Sequence, residues 1–226
     1  MLAQSQSAVA RPAIRGEGLS TMGTGRLEAF SDGVLAIIIT IMVLELRVPH
    51  EPTLAALRPL LPVLLSYVLS FVYLGIYWNN HHHMLHVTRR VTGGILWANL
   101  HLLFWLSLVP FVTAWMGENH FASTPTALYG VLLLMAAIAY TILQWQILRA
   151  EGPSSVLARA VGRDTKGKLS ALLYAVAIAS AFVRPEIAEA IYVLVALSWL
   201  VPGRRIERAL TQQPPGQVRV TAGDQS

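Results

Sequence analysis

No cysteine occurs in the 226 residues, and only 13% of them are charged, about half the share typical of a soluble domain. Without thiols there are no disulfide frameworks, thiolate metal sites or cysteine nucleophiles. The scarcity of charge comes with 54% hydrophobic residues and a mean hydropathy of +0.53. That balance excludes a disordered chain and argues against an ordinary cytosolic enzyme. A phosphate loop, a nucleophile elbow and paired catalytic carboxylates are also missing. What remains is a chain with a net charge of +5 and a pI near 9.9, so the positions of its charges must separate nucleic acid from membrane.

A helix crosses the hydrocarbon layer of about 30 Å in about 20 apolar residues, since each residue rises about 1.5 Å. Six stretches approach or meet that length: Phe30–Leu46, Leu60–Trp78, Ile95–Trp115, Ala127–Leu148, Leu169–Val183 and Ile187–Val201. The last two are short and joined by Arg184, Pro185 and Glu186, a turn tight enough for a helical hairpin. The second continues as helix through His86, because no breaker interrupts it. Pro110 in the third span and Pro62 near the start of the second are expected to kink or begin helices. The fold class is therefore an all-α integral membrane protein with six transmembrane helices per chain.

The basic residues test this division. Of the 17, only Arg47, Arg58 and Arg184 fall in outer segments when the N-terminus is placed inside. The positive-inside rule then puts both termini in the cytoplasm of a plasma-membrane protein, and nucleic acid is not needed to explain the pI. Residues 1–25 read as a disordered cytoplasmic N-terminus without a cleavable signal peptide. Residues 26–203 read as one six-helix transmembrane domain, and 204–226 as a cytoplasmic C-terminal tail. The basic 152–168 loop is expected to be cytoplasmic and to allow a short amphipathic surface helix.

The first span carries the strongest chemical signal. It opens Arg26-Leu27-Glu28-Ala29-Phe30-Ser31-Asp32-Gly33, and an aspartate near the end of a span is costly unless paired or watered. On chemistry alone Ser31 and Asp32 read as a helix cap near the positive end of the dipole, with Arg26 following the inside rule. Farther along, Ile37, Ile41 and Leu44 are spaced i, i+4, i+7 and lie within a stripe of about 60° on one face, with Thr40 at its border. Taken alone, that stripe is an ordinary lipid-facing or helix-packing surface.

Arg26, Phe30, Ser31 and Asp32, spaced Arg-x-x-x-Phe-Ser-Asp, resemble the signature of the transmembrane protein 175 family of potassium channels. The likeness runs on through Gly33-Val34-Leu35-Ala36-Ile37-Ile38-Ile39-Thr40 to Leu44-Glu45-Leu46. It recurs in Trp78-Asn79-Asn80-His81-His82 and in the third span from Leu103 to Phe111. The resemblance implies a prokaryotic single-repeat member, in which four chains form a homotetramer around one pore lined by the first helix. It also implies a pore narrowed by apolar side chains, since no Thr-Val-Gly-Tyr-Gly filter is present. Ile37 takes the place of the main constriction, Ile41 and Leu44 those of the next layers, and Thr40, with Ile37, that of the selectivity determinant. The implied activity is passive conduction of potassium, and of other monovalent cations, without a cofactor or a chemical reaction.

Glu45, four residues past Ile41, would form a carboxylate ring at the outer mouth of such a tetramer, or else pair with Arg47 or another outer base. His81, His82, His83 and His86 invite a metal reading, but consecutive helix residues point about 100° apart. Only His82 and His86 could chelate as an i, i+4 pair, with no Glu nearby in sequence to complete an enzyme site. Metal catalysis is not expected. The histidines are better placed to bond the first helix: Asp32 or Ser31 with His81 or His82, steadied by Trp78 N–H and Asn80. The rival reading is a proton-coupled secondary transporter or a proton leak pathway, with Asp32 and the histidines as proton sites. It predicts paired repeats and a broken midplane helix, of which the sequence shows neither.

Overall fold

The computed structural model describes residues 23–152, 155, 157–158 and 164–200, and among these every regular element is helical. In chain order they are α1 (Thr24–Leu44), a short 3-10 helix (Leu54–Leu60), α2 (Leu61–His86), α3 (Gly93–Ser107), α4 (Val109–Glu118), α5 (Ser123–Glu151), α6 (Thr165–Ala181) and α7 (Pro185–Leu200). The two terminal segments expected to be disordered lie largely outside the described residues. So do residues 153–154, 156 and 159–163 of the 152–168 loop.

Four stretches are long and apolar enough to cross a membrane: α1, the 3-10 helix with α2, α3 with α4, and α5. The chain is a multi-pass membrane protein. The last two expected spans form a hairpin turning at residues 182–184, but with 17 and 16 residues α6 and α7 fall short of a full crossing by length. Pro110 divides the third span. It cannot donate an N–H to the preceding turn and its ring collides with it, so α3 stops at Ser107 and α4 restarts with Pro110 in its first turn. Pro62 likewise sits in the first turn of α2, where its missing donor costs nothing.

The largest difference from expectation is where α1 begins. Its first turn is at Thr24, six residues before the expected Phe30 and inside the segment read as disordered. Ser31 and Asp32 therefore stand in the third turn, beyond the four free N–H groups of a helix start, and the capping role expected for them does not hold. At the other end, Glu45 caps the helix through its backbone N–H, which donates to Met42 O and Val43 O.

α1 buries Leu27, Ser31, Leu35, Ile38 and Met42, a run with i+3 and i+4 steps, against α2, α3 and α4. α5 occupies the centre, packed on α3, α4, α6 and α7. Small side chains let the helices of that half approach closely, with Ala139, Ala177, Ala181 and Ala188 wholly buried. Gly117 permits a close backbone crossing between α4 and the start of α2: a Cβ there would meet Ser66 Oγ at 2.5 Å and the Val63 Cα at 2.7 Å. The Val63 backbone cannot step aside as a side chain end can. Gly117→Ala is expected to cost about 1–3 kcal/mol and to lower the Tm of the detergent-solubilised protein by several degrees. An unchanged Tm would show that the two helices have room to part.

Candidate pore helix and its anchoring network

The face of α1 opposite the buried run is open. Phe30, Ile37, Ile41 and Leu44 share it, and Leu44 is 78% exposed and Ile37 58%. Thr40 lies on the same side and donates its hydroxyl proton to Ile37 O at 2.9 Å, which satisfies the donor and leaves an oxygen facing outward. Beside this stripe runs a groove of about 860 Å³ between α1 and α4. Ile37, Ile41 and Glu45 line one wall, and Phe111, Trp115 and Glu118 line the other. Leu44 and Thr40 stand outside it.

At the end of α1 near the histidines, polar groups are paired with little left over. Asn99 of α3 bridges the two helices that the sequence connected directly. Its Nδ2 donates to Ser31 Oγ at 2.9 Å, and its Oδ1 lies 2.7 Å from His81 Nε2. Ser31 gives its own proton to Leu27 O at 2.9 Å. The hydroxyl can then only accept from Asn99, so the amide oxygen must accept from His81, and His81 carries its proton on Nε2. Ser31, His81 and Asn99 are all buried, and His81 Nδ1 has no partner among the described residues. Asp32 takes a different bond, accepting from Trp78 Nε1 at 3.0 Å. His82 pairs with Glu28, Nδ1 to Oε1 at 2.7 Å, one turn below Asp32 on α1.

Several expected members stand elsewhere. Asn80 donates to Ile76 O on its own helix, because its side chain points along α2 rather than across to α1. Phe30 projects outward with the stripe, and among the described residues the Arg26 guanidinium joins none of these bonds. At the other end of α1, Arg47 pairs with Glu118 at 3.0 Å instead of Glu45, and tethers the end of α1 to α4. Glu45 thus lines the groove without a described ionic partner. Asn99, Glu28 and Glu118 were not singled out from sequence. Asn99 was the most findable, an amide in the middle of an apolar span with no solvent to bond. Glu28 stands one turn from Asp32 on the same face, a spacing as telling as the histidine pair.

Comparisons with known proteins decide the family. Residues 26–110 match the model described as endosomal/lysosomal potassium channel TMEM175. A potassium channel of a Chryseobacterium species is 56% identical over 191 residues, 84% of this chain and 100% of its own length. A potassium channel of Streptomyces collinus is 31% identical over 77% of this chain and 90% of its own. The chain belongs to the TMEM175 family. Its fold matches the crystal structure of a lysosomal potassium-selective channel TMEM175 homolog from Chamaesiphon minutus, with a TM-score of 0.70, 29% identity, and coverage of 80% of this chain and 97% of that one. Relatives that are named channels place the chain in a family that is not enzymatic. The stretch matched by the TMEM175 model starts at Arg26 and ends at Pro110, so it spans α1, the histidine cluster and Asn99.

Asn99→Ala removes two bonds at once and leaves the buried His81 Nε2–H unpaired, while Ser31 keeps its bond to Leu27 O, so a loss of about 1–3 kcal/mol is expected. Asn80→Ala loses only a bond back to its own helix. Thermal melts of the two variants should show a clear loss for Asn99→Ala and little change for Asn80→Ala. Equal losses would mean that Asn99 is not the bridge.

Proposed function

We propose that the chain forms a homotetrameric, potassium-permeable cation channel of the plasma membrane, with four copies of α1 around a central pore and both termini cytoplasmic. Ions pass down their electrochemical gradient, and the protein catalyses no reaction. Ile37, Ile41 and Leu44 narrow the pore as rings of apolar side chains. A hydrated cation cannot enter such a neck without losing water, so the rings act in place of a carbonyl filter. Thr40 supplies a ring of hydroxyl oxygens beside the Ile37 constriction, and Glu45 a ring of carboxylates at the outer mouth.

The observation that carries this reading is the two-faced character of α1. One face is fixed by the Ser31–Asn99–His81 chain and by Leu35, Ile38 and Met42. The other, with Ile37 at 58% exposure, is open among the described residues apart from the groove it shares with α4. Membership of a family whose relatives are named potassium channels supplies the permeant ion. One lining helix cannot enclose a conduit, so the reading requires several copies. Fourteen of the 17 basic residues lie in the segments placed inside, which supports the orientation.

Purified protein in planar bilayers tests the reading, together with a native-mass count of subunits. Four chains and unitary potassium currents are expected, with larger currents for Ile37→Ala because the neck widens. A monomer, or turnover without single-channel steps, would replace the channel by a carrier. Glu45→Gln should lower conductance in dilute salt, and the difference should fade in concentrated salt as screening removes the mouth potential. Unchanged conductance in dilute salt would take Glu45 out of the mouth.

A further inference from the structure

We propose that Glu28, Asp32 and His82 form a binding site for a divalent transition metal of the zinc class, joining α1 to α2 at the end where the histidines lie. The three side chains each offer one ligand atom, and these atoms all lie within 4.8 Å of one another. In tetrahedral zinc coordination, bonds of about 2.1 Å put neighbouring ligand atoms about 3.4 Å apart, so small side-chain movements bring the three into place. One imidazole with two carboxylates suits zinc-like ions, whereas calcium and magnesium prefer all-oxygen shells.

Two features of the surroundings point the same way. The His82 ring is held in a stack, with Trp78 and His86 each 6.0 Å away by centroid and inclined by 23° and 25°. Its Nδ1 therefore already aims at Glu28, 2.7 Å away, through the one proton between them that a metal would displace. Asp32 is oriented as well, since one oxygen accepts from Trp78 Nε1 and the other has no described partner. A hydrogen bond from outside the metal shell that fixes a ligand is a usual support of such sites. All three groups are partly buried, which lowers the competition from water without closing entry.

The site has a mechanical consequence. Glu28 and Asp32 belong to the helix that carries Ile37, and His82 belongs to its neighbour. A bound ion would replace the Glu28–His82 pair by a three-ligand tie between α1 and α2, close to the Ser31–Asn99–His81 chain. Binding itself does not depend on four chains or on conduction, so the site can fail while the channel reading stands, and the reverse.

Calorimetric titration of zinc chloride into the full-length, metal-stripped, detergent-solubilised protein tests the site. One zinc per chain is expected. Glu28→Gln and His82→Ala should each weaken binding by more than about tenfold, and His86→Ala, which removes only a ring packed on His82, should weaken it far less. A second measurement needs no variant: zinc should protect His82 from acylation by diethyl pyrocarbonate, read by peptide mass, while exposed His86 stays reactive. No binding below millimolar zinc overturns the proposal. So does binding lost in His86→Ala but kept in Glu28→Gln, which would mark a plain i, i+4 histidine pair, and so does unprotected His82 in zinc-saturated protein.

Discussion

Hydrocarbon offers no hydrogen-bond partner, so each polar group carried into a membrane must find one on a neighbouring helix or pay several kcal/mol. That constraint fixes how α1 sits. Ser31 is buried in the third turn of the helix; its hydroxyl proton goes to Leu27 O of α1, and its oxygen accepts from Asn99 of α3, which in turn accepts from His81 of α2. The bond chain has a direction, from His81 Nε2–H through the amide to the Leu27 carbonyl, so it fixes the rotation of α1 about its own axis as well as its position. Once one face is committed, the opposite face with Phe30, Ile37, Ile41 and Leu44 has no choice but to point away from the subunit.

The same rule organises the rest of the bundle, with hydroxyls in place of amides. Ser70 Oγ shares hydrogen bonds with Thr113 at 2.7 Å and Tyr129 at 3.0 Å, which links α2, α4 and α5. Tyr73 donates to the Tyr192 carbonyl and Tyr192 to the Thr126 carbonyl, which links α2, α7 and α5. Trp199 donates to Ser170 across the α6–α7 hairpin. Each aromatic ring also fills volume, so the phenols act as packing and as glue at once. Helices α5 to α7 form a backing against which α2, α3 and α4 are held, and these in turn hold α1.

Much of this was legible in residue order. Hydropathy located the spans, Pro110 announced the break between α3 and α4, and the tight Arg184-Pro185-Glu186 turn announced the α6–α7 hairpin. Sequence also brought the first span, the Trp78 N–H and the histidines together, but it paired Ser31 or Asp32 directly with a histidine and missed Asn99 between them. Helical periodicity says which residues share a face of one helix, and it carries no information on which third helix passes between two others. Asn99 enters by that route, and its presence sends His81 to the amide and leaves Asp32 to Trp78. The start of α1 was misplaced for another reason. Thr24, Gly25, Arg26 and Glu28 are polar or small, so hydropathy ends the span before the backbone ends the helix. A helix that leaves hydrocarbon need not stop at its surface. The short lengths of α6 and α7 show the converse limit, since apolar composition alone does not say whether a helix crosses or only packs.

Exposure of isoleucine and leucine is a weak argument inside a membrane, because lipid tails welcome such side chains as readily as a pore would need them. Polar groups on the same side discriminate better. Thr40 satisfies its proton on Ile37 O, so it could face either lipid or an aqueous lumen at little cost. Glu45 is different: Arg47, the nearest base in sequence, is already committed to Glu118, and among the described residues no base pairs with the carboxylate at the end of the groove. The groove that Glu45 ends is also lined by Ile37 and Ile41, so the carboxylate and the apolar side chains border one surface. The pore proposed above would require that combination, with the carboxylate at one end of the apolar stripe.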